Sequence, residues 1–306
     1  SELYNDTLTG SAGANLLEGR GGSDVLAGGA GNDTLDGGTI TDLINYNDLN
    51  IADYSAAAGA VSVNLQAGSA SDGDSGTDTL LNINFVTGSA HNDTLTGSTA
   101  LVFEQFTGGA GNDTINGGVV TDTLNQVNAN RVNYANTNAS VTVDLAAGTA
   151  TGASIGSDTL TNIQHVNGSS VNDTLRGSDS TVFTEQFRGN AGSDLIDGRG
   201  GTDIVRYDTG TVAVNVNLAT GTGIDGLGGT DTLIGIEGVR GSNGNDTLTG
   251  GLVANDALEI FVGMGGADTI NGGSGYDRAD YNTSTAGVVV TLGGAGSGTA
   301  QDGYGT

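Results

Sequence analysis

The chain has 306 residues, 35 of them Asp or Glu against 8 cations, all Arg, for a net charge of −27; it contains 56 Gly and no Pro, Cys or Trp. A polyanion of this density cannot replace the counterions of a phosphate backbone, which excludes nucleic acid as a partner, and the lack of Cys removes disulfides, thiolate metal sites and cysteine nucleophiles together. Aromatic residues are 5% of the chain and Gly is about 18% against a usual ~7%, which disfavours a helical or α/β enzyme core, and no apolar run reaches the ~18 residues that membrane insertion by a helix requires.

The N-terminus, SELYNDTLTG, is acidic and has neither the basic nor the apolar region of a signal peptide. Export by another route, or an origin inside a longer protein, is the expectation. From there Asp6, Asn15, Asp24, Asp33 and Asp42 recur with a nonapeptide period, and two places after each comes Leu8, Leu17, Leu26, Leu35 or Ile44. Alternation of this kind predicts short strands in which the ladder residue and the apolar residue face the same way, with Gly-rich turns between them. The ladder returns as the pairs Asp113 and Asp122, Asp194 and Asp203, and Asp268 and Asp277, followed by Ile115, Leu124, Ile196, Val205, Ile270 and Ala279.

A longer repeat overlies the first. Tyr54, Tyr134, Tyr207 and Tyr281 each open a Val-rich block, at intervals that are long and nearly even. The alternating stretches Val61 to Leu65, Val141 to Leu145, Val212 to Leu218 and Val288 to Leu292 are predicted strands that continue the solenoid with wider coils and a thin core. The first three blocks lead into GTDTLLNI, GSDTLTNI or GTDTLIGI, carrying Asp78, Asp158 and Asp231, and then into HNDTLTG, VNDTLRG or GNDTLTG, carrying Asp93, Asp173 and Asp246. The stretch from ladder Asp to Tyr is longer in Asp42 to Tyr54 and Asp122 to Tyr134 than in Asp203 to Tyr207 and Asp277 to Tyr281, which predicts an inserted surface loop in two units. The chain thus divides into units 54–133, 134–206 and 207–280 with partial units 1–53 and 281–306. It ends where the pattern requires Asp and begins at the serine of the next block, so one continuous solenoid segment of a longer, open array is expected.

The nonapeptides resemble the RTX, or haemolysin-type, calcium-binding repeat G-G-x-G-x-D-x-U-x. Gly108-Gly109-Ala110-Gly111-Asn112-Asp113-Thr114-Ile115-Asn116 fits at every specified position, as does the stretch from Gly28 to Asp36. The resemblance covers roughly a third of the chain and implies an all-β parallel β-roll, a β-solenoid in which two nonapeptides complete one coil and Ca2+ ions lie between the turns. Calcium is a hard cation that takes six to eight oxygens from carboxylates and carbonyls. The calcium ligands the resemblance implies are Asp6, Asp24, Asp33, Asp42, Asp93, Asp113, Asp122, Asp173, Asp194, Asp203, Asp246, Asp268 and Asp277. Asn15 offers only a neutral oxygen, and Asp78, Asp158 and Asp231 are either ligands or turn residues.

His91 and His165 occupy slots that other units fill with unrelated residues, which predicts surface positions for both. With no Cys, no Lys and no recurrent His, no catalytic triad, zinc site or Schiff base has candidates. The expected function is that of a non-catalytic, calcium-folded extender of a large secreted bacterial surface or adhesin-type protein, located outside the cell or on its surface. Its expected partners are calcium ions, further copies of itself, and cell-surface or matrix material. A secretion-assisting tail of an exported enzyme and a self-assembling surface-layer or filament subunit are the two alternatives.

Overall fold

The structure, a computed structural model, describes residues 4–40, 49–251, 258–284, 287–292 and 298–301; Asp42 and Ile44 lie outside the described residues. The first four rungs form three-residue strands, Thr7–Thr9, Leu16–Glu18, Val25–Ala27 and Thr34–Asp36. Thr7 pairs with Val25 and Leu16 with Thr34, both in parallel, so alternate nonapeptides stack and successive ones go to opposite sheets. Two nonapeptides therefore make one coil of a parallel β-roll. The turns depend on left-handed backbone that only Gly adopts freely, as at Gly109 (φ 104°) and Gly111 (φ 133°).

The chain forms two compact units, Ser1–Asn167 and Gly168–Thr306. In the first, one sheet stacks Leu8, Leu26, Ala52, Val86, Phe106, Val132 and Val166 in register. The opposite sheet aligns Leu17 with Leu35 and Leu80, and Val63 with Leu95, Ile115 and Leu160. In the second unit the corresponding columns are Phe187, Val205, Val239, Phe261 and Ala279 on one side. Leu175, Ile196 and Leu233, then Val216, Leu248 and Ile270, form the other. Leu26, Leu35, Leu95, Ile115, Phe106, Phe187, Ile196 and Phe261 are wholly buried, so the core is a file one side chain deep between two sheets. Each such side chain contributes about 1.5–3 kcal/mol of transfer free energy.

The Val-rich coils are longer than the nonapeptide coils, and they take up their extra length by doubling back. Ser62–Asn64, Ser69–Ser71 and Thr77–Leu81 form an antiparallel meander whose two outer strands pair in parallel with the neighbouring coils. Val141–Asp144, Thr149–Gly152 and Gly156–Thr161 repeat it, as do Asn215–Asn217, Thr222–Ile224 and Thr230–Ile234. The reversal falls at Gly68, Gly148 and Gly221, with φ of 63°, 66° and 65°. That left-handed Gly closes a tight hairpin where an extended coil would have needed only a bend.

The loop expected ahead of Tyr134 does more than span a gap. Leu124 points into solvent, but Ala129 is buried with Phe85 and Phe103 in a second apolar cluster. Arg131 lies 4.9 Å from the Phe103 ring centre, and His165 stacks on the same ring at 5.4 Å. The surface position expected for His165 is thus wrong, because this cluster covers the outer face of its strand; His91 is exposed as expected.

Candidate metal centre

The ladder carboxylates line the edges of the roll, and one of their oxygens has a backbone duty. The Asp93 N–H donates to Asp113 Oδ1 at 2.8 Å and the Asp113 N–H to Asp158 Oδ1 at 3.0 Å. In the second unit Asp173 donates to Asp194, Asp194 to Asp231, and Asp246 to Asp268, at 2.8, 3.0 and 2.9 Å. Asp6 likewise donates to Asp24, and Asn15 to Asp33, both at 2.8 Å. The residue just ahead of each three-residue strand has an N–H that the sheet leaves unpaired, and the carboxylate of the next coil satisfies it.

The second oxygen separates the rungs into three kinds. In Gly-type turns, Oδ2 of Asp24, Asp33, Asp113 and Asp194 is buried without a protein partner, and so are both oxygens of Asp203. In Ser-type turns the carboxylate is closed off: Ser89 donates from N and Oγ to Asp93, Ser169 to Asp173 and Ser242 to Asp246. The third kind uses tyrosine. The hydroxyls of Tyr54, Tyr134 and Tyr207 donate to Oδ2 of Asp78, Asp158 and Asp231 at 3.0, 3.0 and 2.8 Å. Asp78, Asp158 and Asp231 are therefore true rungs, each capped by a phenol from the start of its own Val-rich block.

Burial without a countercharge raises these acids. Desolvation, reinforced by Asp158 and Asp93 and partly offset by the Asp93 N–H, pushes Asp113 up to about 7. Asp194 reaches about 7 for the same first cause, while Asp158 and Asp231, bonded to Tyr, reach about 6. A buried carboxylate oxygen without a donor is costly unless a cation takes it.

The carboxylates face glycines that could carry no side chain there. A methyl group added to Gly108 would fall 2.1 Å from Asp113 Oδ2, and one added to Gly88 would lie 2.4 Å from both Asp93 Oδ2 and the Gly108 carbonyl oxygen. Gly28, Gly189 and Gly263 stand in the same relation to Asp33, Asp194 and Asp268, at 2.3, 2.0 and 2.1 Å. A carboxylate oxygen thus faces the bare side of each glycine, joined at Gly88 by a carbonyl oxygen, and such hard oxygens are the donors calcium prefers. Among the described residues no three carboxylate or imidazole groups gather at one point.

The model of the RTX calcium-binding nonapeptide repeat matches in 4 copies, over residues 3–38, 105–124, 180–211, 239–252 and 259–279. The chain carries RTX calcium-binding repeats. These repeats bind Ca2+ at multiple sites, and the buried, unpartnered oxygens of the Gly-type turns fit that ion. No curated protein matches the chain.

Of the expected ligands, Asp6, Asp24, Asp33, Asp93, Asp113, Asp173, Asp194, Asp203, Asp246 and Asp268 stand in the ladder hydrogen bonds, and Asp277 is the second residue of the strand Tyr276–Ala279. Asp122 does not. Its Oδ1 accepts from Leu124 and Asn125 inside the loop, which holds its carboxyl below the ordinary value, and Asn130 takes the rung with Val132 inward. Sequence reasoning also missed buried Glu104, Glu185 and Glu259, which stand two places before Phe106, Phe187 and Phe261 and serve as rungs. The recurrent Glu-x-Phe spacing was a readable signal for them.

Proposed function

We propose that the chain is a non-catalytic extender segment of a large secreted bacterial surface or adhesin-type protein, folded by extracellular calcium. The observation that carries this reading is the row of buried carboxylate oxygens, Oδ2 of Asp24, Asp33, Asp113 and Asp194, that face glycines and have no hydrogen-bond partner. In low cytosolic calcium, self-repulsion at −27 and the entropy of 56 Gly favour the unfolded chain. Outside the cell, ions that bind only the folded state stabilise it by mass action. The long repeats opened by Tyr54, Tyr134, Tyr207 and Tyr281 give such a segment length without adding chemistry. Antibody to the chain, applied to intact cells of its source, should label the surface; label found only after permeabilisation would end the surface reading.

A further inference from the structure

In the second unit a row of arginines runs along three adjacent coils. Arg188, Arg206 and Arg240 follow the stacked Phe187, Val205 and Val239 at the ends of strands Thr184–Arg188, Thr202–Arg206 and Gly238–Arg240. All three guanidinium groups converge on Asp208. Arg188 Nη2 lies 2.5 Å from its Oδ1, while Arg206 Nη2 and Arg240 Nε lie 2.5 and 3.0 Å from its Oδ2. Burial would raise the Asp208 carboxyl, yet Arg206 and Arg188 hold it well below the ordinary carboxylate range. Arg206 also donates from Nη1 to Gln186 Oε1 at 2.8 Å, which ties its coil to the preceding one a second time.

The first unit carries neutral chemistry in the matching row. Thr107, Asn133 and Asn167 follow Phe106, Val132 and Val166 there. Asn167 Nδ2 donates to Asn133 Oδ1 at 3.1 Å, and Asn133 Nδ2 to Thr107 Oγ1 at 3.2 Å. The rungs on the same coils differ in step with the row. In the second unit they are three acids: Glu185 and Asp203 pair in register, and the Asp203 N–H donates to Glu237 Oε2 at 3.0 Å. In the first unit they are one acid and two amides: Glu104 pairs with Asn130, whose N–H donates to Gln164 Oε1 at 3.0 Å. Arginines therefore stand on the coils where stacked acids repel, and neutral side chains on the coils where they do not.

We infer that Asp208 and the three arginines form a metal-free clamp that stacks these coils ahead of the ions and so lowers the calcium concentration at which the second unit folds. Acids on coils about 4.8 Å apart oppose stacking, and three arginines against one aspartate place positive charge across the same strands. An ion filling the rungs then meets coils already held together, so less of its binding free energy goes into ordering the chain. This rests on the calcium-binding reading above and concerns how the chain folds around the ions, not which groups ligate them.

Hydrogen–deuterium exchange of the full chain across a calcium titration, read peptide by peptide, tests the clamp. In Asp208→Asn the strands Thr184–Arg188, Thr202–Arg206 and Gly238–Arg240 should need about threefold more calcium for protection, the loss of charge-assisted hydrogen bonds being shared among several ions. The strands Glu104–Thr107, Asn130–Asn133 and His165–Asn167 should keep their midpoint, and equilibrium dialysis should find the same number of ions bound at saturation. Arg240→Gln, which leaves two arginines on Asp208, should shift the second-unit strands in the same direction by less, and it keeps the test decisive if Asp208→Asn does not fold. Unchanged midpoints in the second unit, an equal shift in both units, or a lost ion would each overturn the clamp while leaving the calcium reading in place. Protection of the parent chain that ignores calcium overturns both.

Discussion

At the scale of single residues, the fate of one carboxylate oxygen decides what each rung does. Tyr207 is the clearest case, because its hydroxyl reaches Asp231 Oδ2 at 2.8 Å in a buried setting. Tyr207→Phe removes that donor and leaves the oxygen unsatisfied, which should cost about 1–3 kcal/mol of unfolding free energy. Chemical denaturation at saturating calcium checks it, and an unchanged midpoint would mean the hydroxyl contributes nothing. The nonapeptide period made the ladder legible from sequence, since Asp and the apolar residue two places on recur without ambiguity. What closes each carboxylate was not legible, because Ser89 and Tyr54 act on Asp93 and Asp78 across turns that periodicity does not describe. Asp122 was misplaced for a related reason: counting residues cannot show where the chain leaves the ladder for a loop and re-enters at Asn130.

At the scale of elements, three-residue strands hold only because turn and rung are built together. Gly108 illustrates the coupling, since a side chain there would collide with Asp113 Oδ2. Gly108→Ala should weaken calcium binding at that turn and lower the unfolding midpoint in calcium, while leaving the midpoint in chelator much less affected. Equal losses in both conditions would show that the glycine serves backbone geometry alone. The coil itself was readable from the stretches Gly28 to Asp36 and Gly108 to Asn116, which carry the full motif. The meanders were read as strands but not as reversals, because the left-handed Gly68, Gly148 and Gly221 resemble the many other glycines of the chain. The buried place of His165 depends on a loop packing over its strand, and no local pattern around His165 records that contact.

At the scale of the whole molecule, stability without metal is a matter of stacked, buried acids. Burial holds Glu104, Asp113 and Asp194 up at about 7 and Asp203 at about 8. Their folded values exceed those of the unfolded chain, near 4, so the folded state binds more protons. The stabilisation is complete below that unfolded value and is lost as pH rises through about 7–8. In chelator, β-structure should therefore increase as pH is lowered from 8 toward 4. In saturating calcium the dependence reverses, because the ion requires the carboxylate and protons compete with it. Circular dichroism across that range checks both signs, and β-structure in chelator that grows with rising pH would contradict the assignment.

The central claim is that calcium completes the ladder and so folds the chain. Titration of the purified protein with calcium, following circular dichroism and hydrodynamic radius together at neutral pH, tests it most directly. The account predicts an expanded chain with little β-structure in chelator and one cooperative compaction, with β-structure, as calcium reaches the millimolar range. A chain already compact and β-rich in chelator, with a spectrum calcium leaves unchanged, would contradict it.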